Sequence, residues 1–168
     1  MLNITNEDEK CIIWCILAHL HPAKNNNSKV YNYRLFEHEL KTAGVNFPTP
    51  VKDVPKLQRL NDLSINVFGY DTTDKLYPLY KSKENCKPAR RLNLLLIAQG
   101  DKRHYCLIRN FSRLMAYRTK HKAALYYCFN CLHGYSKKRI LEEHEKLCHK
   151  QKVQSISFPK KPEEKEFF

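Results

Sequence analysis

The stretch SINVFGY, residues 64–70, is where the apolar pattern of this chain changes from that of helices to that of strands. Three more short aliphatic stretches bounded by turn residues follow, at 76–80 (LYPLY), 92–98 (LNLLLIA) and 104–110 (HYCLIRN). QGDKR at 99–103 is typical of a hairpin between the last two. These stretches predict four strands in a mostly antiparallel sheet.

The residues before this sheet have helical patterns. CIIWCILAHL at 11–20 is apolar on nearly all sides and is followed by His21-Pro22, which predicts a buried helix ended by proline. A second helix is predicted from a cap at Ser28 to about Ala43, with Gly44 closing it. A third, short helix is predicted at 56–60, capped by the aspartate at position 53. Helices first and strands second predict an α+β unit.

The chain is strongly basic, with 30 lysines and arginines against 17 acidic residues and a net charge of +13. A positive field of this size attracts phosphate polymers and acidic protein surfaces alike. The sequence has no apolar run of about 18 residues and no secretory leader pattern, so we expect a nuclear or cytoplasmic protein without a membrane partner. The seven cysteines should then be reduced, which favours metal binding or a catalytic thiolate over disulfides.

Four potential metal ligands lie close together near the C-terminus. Cys128 and Cys131 are separated by two residues, and His144 is separated from Cys148 by three. Two thiolates from a turn and two ligands one helical turn apart have the spacing of a tetrahedral zinc site. The sequence therefore predicts one bound Zn²⁺.

The same segment resembles the Cys2His2 zinc-finger family over about 25 residues. The apolar triplet that packs a ββα finger corresponds here to Tyr126, Tyr135 and Leu141. The fourth ligand departs from the family, because a cysteine follows His144 at the position four residues on. Cys148 is favoured since it shares a helix face with His144, and His149 stays open as the alternative.

The helix of this finger is a poor reader of bases. Aligned on the triplet, two of the positions that read DNA in zinc fingers are Ile140 and Glu143, which have little to offer a base edge. Lys137, Lys138 and Arg139 are expected to contact phosphates instead. The predicted partner is nucleic acid, DNA in the first place, and a purely structural zinc knot within a larger assembly is the alternative.

A second chemistry is suggested by Cys11, which is predicted at the start of the first helix. A helix N-terminus can lower the pKa of a thiol and hold an oxyanion, and His104 could take the proton. Asp8-x-x-Cys11 and His104-Tyr105 resemble the ovarian-tumour (OTU) family of deubiquitinating cysteine peptidases. This resemblance implies a papain-like fold, a Cys11–His104 pair and ubiquitin or a peptide as substrate.

The chain departs from the OTU pattern at two places. Glu9 stands where the family has glycine, and Cys106 stands where an acid or amide would orient the histidine. Asn66 and Asp101 are the candidates for a third catalytic residue. Packing inside an apolar helix is the alternative role for Cys11, because free cysteine is among the most buried residue types.

Over nearly its whole length, the chain resembles the region that precedes the exonuclease domain in protein-primed family B DNA polymerases of Maverick (Polinton) transposons. The resemblance lies in the order of WCILAHLHP, INVFGY, HYCLIRNFSRL and the finger. It implies a DNA-replication context and contact with nucleic acid or with a DNA polymerase domain. The expected domains are a papain-like or OTU-like α+β unit at 1–117, a zinc finger at 118–152 and a linker at 153–168.

Overall fold

The computed structural model describes residues 1–70, 75–83, 86–99, 102–119 and 124–148. Among these residues, no helix combines the length and the apolar character needed to cross a membrane. The fold is α+β, as predicted, with a four-stranded sheet and several helices. Its elements, in chain order, are α1 Cys11–Leu20, α2 Val54–Leu60, β1 Ser64–Tyr70, β2 Leu76–Tyr80, β3 Arg91–Gln99, β4 Lys102–Ile108, α3 Phe111–Thr119, β5 Tyr126–Tyr127, β6 Gly134–Tyr135 and α4 Lys138–Cys148.

Helix α1 is buried on all sides. Its residues Cys11 to Ala18 are all buried, as expected for a helix that is apolar on every side and has no polar face for solvent. Its N-terminus is tied down by the Asp8 carboxylate, whose Oδ1 accepts hydrogen bonds from the Lys10 amide at 3.0 Å and from the Trp14 indole at 2.9 Å. The bounds of α1 match the prediction.

The helix predicted from Ser28 to Ala43 is wrong. The chain forms two 3-10 helices instead, at Val30–Asn32 and Arg34–Glu39. The apolar residues that pack on the core here are Val30, Tyr33, Phe36 and Leu40. The first three are spaced by three residues, the period of a 3-10 helix, and Leu40 follows the second 3-10 helix in an extended conformation. Gly44 does close this region, with a φ of 65° that favours glycine.

The sheet is mixed, in the order β2-β1-β3-β4. The pairs β1–β2 and β3–β4 are antiparallel, as predicted, but β1 and β3 run parallel, with Ser64 opposite Arg91. The parallel pair arises because β2 occupies the outer edge and the chain then returns past β1 to begin β3. The starts of β1 and β3 and the ends of β2 and β4 therefore lie at one end of the sheet.

The two faces of the sheet have different covers. One face, the α1 face, packs against α1 through a cluster that includes Ile65, Leu94 and Tyr105. The opposite face, the finger face, is formed by residues such as Phe68 and Cys106. It is covered by Phe111 and Met115 of α3, a helix that the sequence analysis did not predict, and by Tyr127 of β5. The segment predicted as a zinc finger therefore shares a core with the sheet.

Candidate functional site

The two cysteines of the hairpin are brought together by a tight turn between β5 and β6. The Cys128 amide donates to the His133 carbonyl at 3.0 Å, and the Leu132 amide donates to the Cys128 carbonyl at 2.8 Å. Leu132 adopts a φ of 60°, which reverses the chain. Gly134 is required opposite this turn, because a Cβ there would lie 2.9 Å from the ring of Tyr127.

The other two ligands come from α4. His144 and Cys148 are four residues apart and so lie on one side of the helix, the side that faces the turn. The ligand atoms of Cys128, Cys131, His144 and Cys148 all lie within 4.8 Å of one another. The structure thus brings together all four ligands predicted from the sequence, and they could hold a metal ion. The alternative ligand, His149, lies outside the described residues.

Two of the separations between these atoms are close to those around a tetrahedral ion, and the whole set, within 4.8 Å, would need a small contraction to bind one. With metal–sulfur bonds of about 2.3 Å, two sulfurs of a tetrahedron are about 3.8 Å apart, and a sulfur and a nitrogen are about 3.6 Å apart. The Sγ atoms of Cys128 and Cys148 are separated by 3.8 Å, and Cys131 Sγ lies 3.3 Å from His144 Nε2. A disulfide would place two sulfurs about 2.05 Å apart, so the arrangement is that of separate ligands.

The surroundings of the four ligands support them. Asn130 is buried, and its Nδ2 donates to the Cys148 carbonyl at 3.0 Å and to Cys148 Sγ at 3.2 Å. The ring of Tyr135 packs against the His144 imidazole with 5.0 Å between centroids. Such contacts orient ligands and are typical of metal sites. Asn130 was not predicted from the sequence, because its contact with Cys148 depends on how the turn and α4 pack.

A bound cation would change the protonation state of the Cys128 thiol. Burial raises the pKa of the Cys128 thiol to about 11, although the amides of Cys131 and Asn130 lower it by hydrogen bonding. A thiol in this environment stays protonated at neutral pH. A bound cation reverses that preference, because the thiolate is the form that ligates.

Cys11 lies where the prediction put it, at the start of α1, but in a different environment. Its side chain is 3% exposed, and its Sγ accepts a hydrogen bond from the Tyr105 amide at 3.4 Å. Burial raises the pKa of the Cys11 thiol. A nucleophilic thiol needs an accessible position and a lowered pKa, so both features oppose catalysis.

His104 points away from Cys11. Along β4, Tyr105 packs on the α1 face and Cys106 on the finger face, so His104 shares the side of Cys106, opposite α1. Its Nε2 lies 2.7 Å from Asn3 Oδ1, and burial lowers the pKa of its ring. No hydrogen bond between described residues joins it to Cys11. The catalytic pair stays a prediction, with this geometry against it.

The two candidates for a third catalytic residue give no support to a triad. The Asn66 amide donates to Asn93 Oδ1 at 2.9 Å, and its own Oδ1 accepts from the Ser82 amide at 3.0 Å. Asn66 is therefore engaged within the sheet. Asp101 lies outside the described residues.

The predicted phosphate contacts lie on and beside α4, and all three are exposed. Lys138 Nζ lies 3.4 Å from Glu142, and an Arg139 guanidinium nitrogen lies 3.0 Å from Glu143. Lys137 precedes the helix. Residues 138–148 contain three basic and three acidic side chains, so α4 has no net charge when His144 is neutral. The positive charge that α4 presents to a ligand is therefore reduced by the neighbouring glutamates.

No family model, curated protein or solved structure matches this chain. The resemblances to zinc fingers, to OTU peptidases and to the Maverick polymerases therefore stay predictions.

Proposed function

We propose that this chain is a zinc-stabilised nucleic-acid-binding module, an accessory unit of a mobile-element DNA replication protein. The observation that carries the proposal is the convergence of three thiols and one imidazole to within 4.8 Å of one another. The replication context rests on the resemblance to the Maverick polymerases alone. The binding function rests on the net charge of +13.

Zn²⁺ is the ion that the donor set favours. Thiolate and imidazole ligands in a tetrahedral arrangement suit zinc, whereas magnesium and calcium prefer oxygen ligands. Four protein ligands leave no position for water or substrate, which is typical of a structural site. When bound, the ion would join the β5–β6 turn to α4.

Nucleic acid is the favoured partner because the excess positive charge is large for a chain of 168 residues. Binding to a phosphate backbone releases condensed counterions, so its affinity falls steeply with salt. The zinc site would contribute indirectly, since it would join α4 to the hairpin, and the hairpin packs on the sheet. We therefore expect the fold of this part of the chain, and with it the binding surface, to depend on the metal.

The test is to purify the full chain with zinc and measure both metal content and DNA binding. We expect about one zinc per chain, lost in Cys148→Ser and kept in Cys86→Ser, a control at a cysteine away from the site. Fluorescence anisotropy with a labelled duplex should show an affinity that falls steeply between about 0.05 and 0.2 M salt. A chain that binds no zinc, or that binds DNA without salt dependence, would contradict the proposal.

The alternative function, a cysteine peptidase, makes a different prediction. A ubiquitin or peptide suicide probe would label Cys11 in a working enzyme, and Cys11→Ala would abolish the labelling. Because the thiol is buried and its pKa is raised, we expect no labelling of the folded chain. Specific labelling of Cys11 would support the peptidase function instead.

A further inference from the structure

The positive charge of this chain is concentrated in one segment. Residues 75–119 contain eleven basic and two acidic side chains, a net of +9 out of the +13 of the whole chain. Helix α4, by contrast, has a net charge of zero. The segment with the excess is not the one from which a zinc finger would contact DNA.

The sheet topology gathers much of this charge at one end. Because β1 and β3 are parallel, the residues that follow β2, those that begin β3 and those that follow β4 come together beside the start of β1. Neighbouring strands are about 4.8 Å apart, so the four strands from β2 to β4 span about 14 Å. We name this region the basic end; its cationic residues are Lys81, Lys83, Lys87, Arg90, Arg91 and Arg109.

Two arginine side chains of the basic end are held by backbone carbonyls. The Arg91 Nε donates to the Cys86 carbonyl at 2.9 Å, beside the start of β3. The Arg90 Nε donates to the Asp62 carbonyl at 2.7 Å, just before β1. The side chains of Lys83, Lys87 and Arg109 are exposed and are therefore accessible to a ligand.

An ion pair between described residues involves the basic end: Asp62 lies 3.7 Å from Arg90, and its side chain is 86% exposed. Such an exposed pair contributes little in water, so it reduces the positive field of Arg90 only slightly. Glu84 lies outside the described residues.

The chemistry of the basic end favours nucleic acid over an acidic protein. Protein interfaces are centred on exposed apolar or aromatic anchors. Of the large apolar residues near this end, Leu92, Ile108 and Phe111 are buried, and Leu79, two residues before Lys81, is 36% exposed. A surface with several cations and little exposed apolar area matches a phosphodiester backbone better than it matches a protein interface.

We infer that the phosphodiester backbone of a nucleic acid binds at the basic end of the sheet, and that α4 is not the main contact surface. The inference rests on the proposed function and names the part of the molecule that performs it. It replaces Lys137, Lys138 and Arg139 with Lys83, Lys87 and Arg109 as the principal exposed phosphate contacts.

Two triple variants with the same change in charge test this assignment. K83Q/K87Q/R109Q removes three cations from the basic end, and K137Q/K138Q/R139Q, the α4 variant, removes two from α4 and one from the residue before it. Since each phosphate contact contributes about 0.9 to the slope of log affinity against log salt, the first variant should lower the slope by about 2 to 3. Its affinity for a duplex at about 0.1 M salt should fall by about tenfold or more. The second variant should lose less than about threefold.

The outcomes separate the possible failures. Equal losses in the two variants, or a larger loss in the α4 variant, would overturn the inference while the proposed function stands. A wild-type chain that shows no salt-dependent binding would remove the proposed function itself. Polyglutamate that competes as well as DNA would show that the surface is a general one for acidic polymers, and would also overturn the inference.

Two further arms complete the test. Single-stranded and duplex DNA of equal length, titrated in parallel, distinguish the source of the phosphodiester backbone. Zinc content and far-ultraviolet circular dichroism establish that each triple variant is folded. If a triple variant does not fold, the single changes K83Q and K87Q, both at exposed positions, replace it, each with an expected slope change of about 0.9.

Discussion

The two faces of the sheet contrast in how they are closed. The α1 face is covered by a helix with eight buried residues of its own, and apolar contact alone suffices there. On the finger face, α4 leaves Ile140 and Leu147 exposed, and the hairpin is only a few residues long. The contrast suggests that apolar burial organises the first cover, and it leads us to expect that the second depends on a metal bound by the four ligands.

The metal site and the sheet meet at a small group of aromatic rings. Phe129, between the two cysteines of the turn, lies 5.0 Å from Phe111 and 5.9 Å from Phe68, measured between ring centroids. Tyr127 lies 5.8 Å from Phe111. Aromatic pairs at these separations add packing energy beyond their buried area. A loss of metal should therefore be felt at the sheet.

The largest expected effect is the loss of structure on the finger face when a metal ligand is removed. Cys128→Ser removes a buried ligand, and structural zinc sites contribute apparent binding free energies of about 10–16 kcal/mol in small zinc peptides. We expect loss of stoichiometric zinc and unfolding of the β5–β6 turn and α4, with α1 retained. Zinc analysis and nuclear magnetic resonance spectra of the amides check this. Full zinc occupancy in the variant would contradict it.

A large effect on the α1 face should be independent of metal. Trp14 is 2% exposed, so Trp14→Ala should lower the free energy of unfolding by about 3–5 kcal/mol. Denaturant titrations with and without a zinc chelator measure it. We expect the same decrease in both conditions. A decrease that disappears after chelation would show that the stability of the α1 face depends on the metal.

A moderate effect is expected at the aromatic contact between the metal site and the sheet. Phe129→Ala should cost about 2 kcal/mol, less than for a fully buried ring, because Phe129 is half-buried. Zinc should still bind, since no ligand is changed. Leu147→Ala on α4 is the control, because Leu147 is 70% exposed and its loss should cost less than about 0.5 kcal/mol. Similar costs for the two variants would argue against coupling through Phe129.

The smallest effect is the pH dependence of stability that Asp8 contributes at the start of α1. Burial tends to raise the pKa of Asp8, but hydrogen bonds from the Trp14 indole, the Lys10 amide and Asn6 outweigh it, so the pKa is lowered. A lowered carboxyl pKa stabilises the fold above the unfolded value of about 3.9, and this contribution is lost as pH falls through the folded pKa. Because the residue is exposed, we expect about 1 kcal/mol at most.

Asp8→Asn checks this pH dependence. The variant should be less stable than wild type at pH 7, and the difference should shrink as the pH falls below about 4. Glu9→Gln, at the exposed neighbouring position, serves as the control. A difference between Asp8→Asn and wild type that stays constant down to the lowest pH would assign the effect to packing.

Local patterns predicted more of the fold than long-range ones did. The bounds of α1 and β1 follow from continuous apolar runs, and the metal ligands follow from spacing within 21 residues of chain. The helix expected at 28–43 rested on apolar positions 30, 33, 36 and 40, a pattern that two 3-10 helices followed by an extended residue also satisfy. Helix α3 was not predicted, and Asn110, whose Oδ1 accepts from the Arg113 amide at its start, was assigned to the preceding strand.

The basic end could not be predicted from the sequence. Lys83 and Arg109 are distant along the chain, and they lie at the same end of the sheet because β1 and β3 are parallel. That pairing depends on which edge β2 takes, and no local pattern of residues decides it. The placement of His104 opposite α1 has a similar origin, since the alternation of β4 is fixed by which of its faces meets the helix.

Hydrogen exchange of the wild-type chain, with zinc bound and after chelation, tests most directly the claim that a metal closes the finger face. We predict that chelation removes protection from the amides of α4 and from Cys128 and Leu132 in the turn, and lowers it in α3. Protection in α1, from Ile13 to Leu17, should be unchanged. Identical protection in the two states, or a uniform loss that includes α1, would contradict the account.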